Sequence, residues 1–322
     1  MKKLAALFAF IFLLFVVQHD ASAARGRSAS KWHKGTTAKA HKWGKRQAYR
    51  GKQRARITQR WHLRHALPQF NDQQPFLRSG SALVQDLESG EVLYAKNSDA
   101  VRPIASLTKL MTAIVTLEAG LALDEEIEIS ESELSLTAGS RSRLALGTRL
   151  TRRELLHLAL MSSENRAAAA LASSYPGGLD AFVLQMNLRA ETLGMNDTHF
   201  QEPTGLARGN VASAADLARL VEAAHAYPEI RDFSTSRELV VPIGEHYRVY
   251  RNTNALIANE RWSIGLSKTG YIAAAGRCLV MQAWFLGKPI VIVLLDSVGR
   301  YTRIADAVRV RNWVEHKLSR SE

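Results

Sequence analysis

The chain has 322 residues, 46% of them hydrophobic, with a single cysteine and a formal charge of +13. That is enough apolar material for one large domain or a two-lobed one, and the lone Cys278 excludes an intramolecular disulfide framework. The charge is local: residues 25–65 carry 14 Lys and Arg and no Asp or Glu, whereas the chain beyond residue 65 is close to neutral.

Met1-Lys2-Lys3, an apolar run from Leu4 to Val17 and the small-residue triplet Ala21-Ser22-Ala23 read as a secretory signal peptide over residues 1–23. Residues 24–76 are rich in Lys, Arg, His and Gln, with Trp32, Trp43 and Trp61 interspersed. Low apolar content and one sign of charge predict a disordered tail or linker. Its chemistry suits a polyanion, either an anionic wall polymer or lipid headgroups; after export, nucleic acid is the poorest fit. His62 and His65 stand at a metal-pair spacing but have no further ligand nearby, and no Cys/His cluster has zinc spacing, so no metal and no cofactor are expected.

The folded body is expected over residues 77–322. Ser81–Leu87 and Glu91–Lys96 flank Glu88-Ser89-Gly90, which reads as a hairpin. A helix follows from Leu107, with Leu110, Ile114 and Leu117 at helical spacing and Gly120 closing it. Residues 121–150 read as loops with short strands. Thr151-Arg-Arg-Glu154 is a capping box for a helix through Met161. Ser162–Asn165 interrupts it, an alanine-rich helix runs to Ser174, and further helices span Leu179–Leu193 and Ser213 to about Ala226. From Leu239 the texture is strands, at Val240–Val249, Trp262–Gly270, Arg277–Phe285 and Ile290–Leu295, and an amphipathic helix closes from Thr302 to Leu318. The pattern is α+β, a mostly antiparallel sheet flanked by helices plus a helical lobe.

Ser106 and Lys109 lie three apart where that first helix begins, so hydroxyl and amine can meet, and backbone N–H groups there favour an oxyanion. Ser-x-x-Lys alone is weak evidence, since Ser28–Lys31 repeats it in the basic stretch. Two partners strengthen the later copy. Ser163-Glu164-Asn165 sits at a helix junction, where Ser and Asn also serve as caps, and Lys268-Thr269-Gly270 ends a strand. The three motifs, in this order, form the signature shared by penicillin-binding proteins and class A β-lactamases.

Serine needs a base in contact, and no histidine lies in these motifs, so a Ser-His-Asp triad is not the economical reading. Lys109 serves as base if burial and the positive charge of Lys268 lower its pKa. Ser163 is placed to relay a proton between Lys109 and the leaving group, and Asn165 to orient Lys109 or a substrate carbonyl. Lys268 and Thr269 would hold a substrate carboxylate or carbonyl, and Gly270 would let substrate backbone lie close. The oxyanion hole would use the backbone N–H groups of Ser106 and Tyr271.

The stretches Ala105–Ala113, Leu158–Ala168, Tyr175–Gly178, Glu202–Leu206, Tyr250–Asn254, Lys268–Ile272 and Gly276–Gln282 resemble the low-molecular-weight penicillin-binding proteins, the D-Ala-D-Ala peptidases of peptidoglycan. The chain looks most like their D-alanyl-D-alanine endopeptidase branch, the penicillin-binding protein 7/8 type. The resemblance implies the penicillin-binding-protein (class A β-lactamase-like) fold and a periplasmic hydrolase of cell-wall cross-link peptides. In it, Ser106 is the acyl-enzyme nucleophile, Lys109 the base, Ser163 the relay and Lys268 the substrate anchor, and β-lactams are covalent inhibitors. The carboxypeptidase branch usually adds a C-terminal β domain and an amphipathic anchor. The few residues after the last helix are too short for either, which favours the endopeptidase over the carboxypeptidase. A class A β-lactamase would need a deacylating Glu with an Asn four positions on; after Glu202 that position is Leu206, so Glu202 is expected to be dispensable for turnover. A non-catalytic wall-binding protein acting through the basic tail is the other alternative, and it would have no need of both lysines.

Overall fold

The computed structural model describes residues 74–244 and 246–320. The signal peptide, the basic stretch with its second Ser-x-x-Lys and the His62/His65 pair lie outside the described residues.

A five-stranded antiparallel sheet forms one layer. Its strands are β1 (Ser81–Asp86), β2 (Val92–Lys96), β9 (Ser263–Ile272), β10 (Gly276–Phe285) and β11 (Lys288–Ser297), in the order β2-β1-β11-β10-β9. The remaining strands form three small antiparallel pairs: β3 (Arg102–Pro103) with β6 (Val211–Ala212), β4 (Glu126–Glu128) with β5 (Arg149–Thr151), and β7 (Glu238–Ile243) with β8 (His246–Arg251).

The helices are α1 (Lys109–Glu118), α2 (Glu131–Leu136), α3 (Arg152–Met161), α4 (Asn165–Ser173), α5 (Gly178–Thr192), α6 (Ala214–His225), α7 (Pro228–Thr235) and α8 (Thr302–Leu318).

Strand periodicity divides the interior in two. Ala82, Val84, Leu279, Met281, Ile290, Ile292 and Leu294 point to one face, where Ala307, Val310 and Val314 of α8 cover them. The alternate residues Leu83, Val280, Val291, Val293 and Leu295 face Leu217, Leu220 and Val221 of α6 and, beyond it, the helical lobe. Both faces are buried, so β10 and β11 read as continuous apolar runs rather than alternating ones. Burying each such side chain contributes about 1.5–3 kcal/mol.

Helix α1 sits at the centre of the lobe, against α3, α4, α5 and α6, and Lys109 through Thr116 are all buried. A helix packed on every side must be apolar all round, which leaves its one lysine conspicuous.

The expected hairpin at 88–90, the Thr151 capping box and the closing helix occur as read. Three details differ. Val240–Val249 is a hairpin, not one strand: it turns at Gly244, and Val240 pairs with Val249. α2 was missed although Ser130 and Glu133 form a complete capping box. α7 was also missed; it begins at Pro228, whose fixed φ suits the first helical position.

Candidate active site

The residues before α1 do not yet form an α-helix. Ala105–Thr108 is a 3-10 turn, so Ser106 precedes the helix instead of sitting in its first turn. Ala105 has a positive φ of 50°, a strained conformation for a residue with a side chain. Two neighbours hold it there. A Cβ on Gly205 would lie 2.1 Å from the Ala105 carbonyl oxygen, so only glycine fits, and its φ of +83° also demands one. A Cβ on Gly270 would lie 2.9 Å from the Ile104 carbonyl oxygen and 3.2 Å from the Ser106 nitrogen. The backbone that approaches Gly270 closely in the structure is that of the Ser106 turn.

Lys109 is fully buried and its Nζ donates to Ser106 Oγ (3.1 Å), Asn165 Oδ1 (2.8 Å) and the Thr204 carbonyl (2.5 Å). Lys268, also buried, lies on β9, and its Nζ donates to Ser163 Oγ (2.9 Å) and the Thr269 carbonyl (3.0 Å). Ser163 holds a positive φ of 60° in the break between α3 and α4. That left-handed residue redirects the chain, so hydroxyl and Asn165 amide both face the lysines. Ser163 thus takes its bond from Lys268, while Asn165 is the member of its motif that holds Lys109. Thr269 shares a 2.7 Å hydroxyl bond with Thr253 at the end of the β7–β8 hairpin. β9 is the outermost strand, so one row of its backbone groups faces away from the sheet, towards the Ser106 side. Tyr271 is exposed, and the Arg277 guanidinium lies over its ring.

Burial lowers the Lys109 ammonium to about 8, while Glu202 and Glu164 pull it upward. Lys268 is pushed well below the ordinary lysine range by burial, then by the charges of Lys109 and Arg303. Burial, one of the two expected causes, is the largest influence on both amines, and the two lysines, lying in one site, disfavour each other's charge. Arg303, on α8, donates to the Gly270 carbonyl (3.0 Å) and so ties the far helix to the site strand.

Sequence reasoning missed what backs Ser106 and Lys109. Thr204, Gly205 and Asn210 belong to one loop, and Glu202 is its hub. The signal was present in Glu202-Pro-Thr-Gly-Leu206, but a backbone carbonyl such as that of Thr204 leaves no trace in residue type. A groove of about 530 Å³ lies on another side of this loop, between Leu136, Leu179, Val183 and Leu206; it is not lined by Ser106. Among the described residues no group of His, Cys, Asp and Glu could hold a metal ion.

The fold and the sequence match proteins of known class. The structure superposes on the crystal structure of the Streptomyces K15 DD-transpeptidase with a TM-score of 0.70 at 27% identity, covering 75% of this chain and 98% of that one. The architecture is therefore that of the penicillin-binding DD-peptidases. In sequence, the chain is 51% identical over 241 residues to the D-alanyl-D-alanine endopeptidase of Pseudomonas aeruginosa, covering 74% of this chain and 78% of that protein. It is 48% identical over 244 residues to the D-alanyl-D-alanine endopeptidase of Escherichia coli, covering 75% and 79%. Residues 68–299 match the peptidase S11 family model, described as D-alanyl-D-alanine carboxypeptidase, and the chain belongs to that family.

Proposed function

We propose that this protein is a serine DD-endopeptidase that cleaves D-alanyl peptide cross-links of peptidoglycan through an acyl-enzyme on Ser106. The observation that carries the reading is the buried Lys109 amine, 3.1 Å from Ser106 Oγ and lowered to about 8. Relatives about half identical to the chain are named endopeptidases, which favours that activity over the carboxypeptidase of the family's description.

Neutral Lys109 takes the Ser106 proton as Oγ attacks the D-alanyl carbonyl carbon. The oxyanion of the tetrahedral intermediate accepts from the Ser106 and Tyr271 backbone N–H groups. Collapse breaks the C–N bond; the leaving amine receives the proton from Lys109, by way of Ser163 once its hydroxyl turns from Lys268 towards Lys109. Water then adds to the ester under the same base and frees Ser106. Lys268, with Thr269, receives the substrate carboxylate. A carboxylate there favours the charged form of Lys268, and that charge in turn disfavours charge on Lys109.

Residues 77–322 form the catalytic domain in this reading, 1–23 a signal for export to the periplasm, and 24–76 a basic tail. The test is to treat the protein with a β-lactam and digest it. Mass spectrometry should find the adduct on the Ser106 peptide, and Ser106→Ala should abolish it. Absence of an adduct on wild-type protein would refute the assignment and leave wall binding through the tail as the better reading.

A further inference from the structure

Residues 201–210 contain no group assigned to acyl transfer, yet the loop they form is fastened to the nucleophile turn at several points. Glu202 is buried, and its carboxylate is saturated. Oε2 accepts from Thr204 N (2.6 Å) and Thr204 Oγ1 (2.5 Å). Oε1 accepts from Gly205 N (2.6 Å), Ala207 N (3.3 Å) and Asn210 Nδ2 (2.9 Å). A carboxylate so occupied is a poor base for water. Asn210 Nδ2 also donates to Thr108 Oγ1 (3.0 Å), whose hydroxyl donates to the Ala105 carbonyl (2.8 Å). The Asn210 carbonyl accepts from Ile104 N, and the Pro203 carbonyl from Thr112 Oγ1. Loop and nucleophile turn are one body.

The consequence for Lys109 follows from counting hydrogens. A neutral amine has two N–H bonds and one lone pair. Asn165 Oδ1 and the Thr204 carbonyl can only accept, so the two N–H bonds go to them. The lone pair is then left for the remaining partner, the Ser106 hydroxyl proton. Without the Thr204 carbonyl the amine is free to rotate and present an N–H to Ser106 instead.

We propose that Glu202 is a positioning residue for acyl transfer: folded around its carboxylate, the loop aims the Thr204 carbonyl at Lys109 and so turns the lysine lone pair towards Ser106. The inference rests on Ser106 and Lys109 being nucleophile and base. It replaces the expectation, drawn from the absent Asn at Leu206, that Glu202 is dispensable.

The charged groups that face Lys109 are Glu202 from this loop, Glu164 from the α3–α4 junction, and Lys268 on β9, itself beside Arg303 of α8. Replacing Glu202 by a neutral isostere removes one of the two carboxylates that favour the Lys109 ammonium. The neutral amine then prevails at lower pH.

The experiment measures the rate of acylation by a fluorescent penicillin as a function of pH, with the thermal midpoint of each variant. Glu202→Gln places an amide against the Thr204 donors. It should slow acylation roughly 10–100-fold, the cost of a misplaced catalytic group, and shift the acidic limb of the profile to lower pH. Glu202→Asp keeps the charge but withdraws it by one methylene; it should lose less rate and keep the limb in place. Acylation of Glu202→Gln at the wild-type rate, or a loss with the limb unmoved, would overturn the proposal. Should that variant not fold, a wild-type rate in Glu202→Asp would overturn it equally. Failure of the wild-type protein to label on Ser106 is a separate outcome and refutes the nucleophile.

Discussion

Lys109 and Lys268 bring two amines into a space where burial disfavours the charged form of each. The site settles this with acceptors, giving each amine two or three oxygens and no direct carboxylate bond. The predicted pH dependence follows. With Lys109 as the proposed base, the form that takes the Ser106 proton is the neutral amine, and burial lowers its pKa to about 8. Acylation should therefore rise with pH through about 8 and level off above it; a rate already flat through neutral pH would contradict this assignment of the base. At this scale the sequence was most informative, because Ser106, Lys109, Ser163, Asn165 and Lys268 declare their chemistry by type and spacing. It was silent where the chemistry belongs to the backbone. The strain at Ala105, the carbonyl of Thr204 and the glycine-sized gap at Gly205 depend on how distant segments meet.

Elements with local signals were legible, and those fixed by tertiary contact were less so. The Thr151 box set the start of α3, and α8 was read to the residue because its amphipathic pattern is long. The β7–β8 hairpin was misread because its two strands alternate in the same way on either side of Gly244, with no Asn-Gly or Asp-Gly to mark the turn. Helix α8 also shows how an element is anchored. Asp306 is buried and accepts from Arg78 N (3.0 Å), Ser79 N (2.8 Å) and Ser79 Oγ (2.7 Å), and it pairs with Arg309. It fastens the start of the sheet to the closing helix. Asp306→Ala would leave those donors without their carboxylate at a cost of about 3–5 kcal/mol. Thermal unfolding should show a drop of several degrees, while the folded fraction keeps its penicillin reactivity. An unchanged midpoint would mean that the anchor contributes little.

At the scale of the whole molecule, charge and catalysis occupy different parts of the chain. The 14 Lys and Arg of residues 25–65 lie outside the peptidase body, which is nearly neutral. Binding through such a stretch depends on many weak, screened attractions. Retention on isolated peptidoglycan or anionic vesicles should fall with added salt and largely disappear on deletion of 25–65, whereas acylation of Ser106 should be unaffected. Binding that survives the deletion would place the affinity in the peptidase body. In the proposed function the Ser106 centre cuts cross-links. The most direct measurement incubates the protein with cross-linked muropeptide dimers and, separately, with pentapeptide monomers, and resolves the products by mass. Dimers should be converted to monomers, and Ser106→Ala should abolish the conversion. Release of terminal D-alanine from the pentapeptides, with the dimers left intact, would contradict it and make the enzyme a carboxypeptidase.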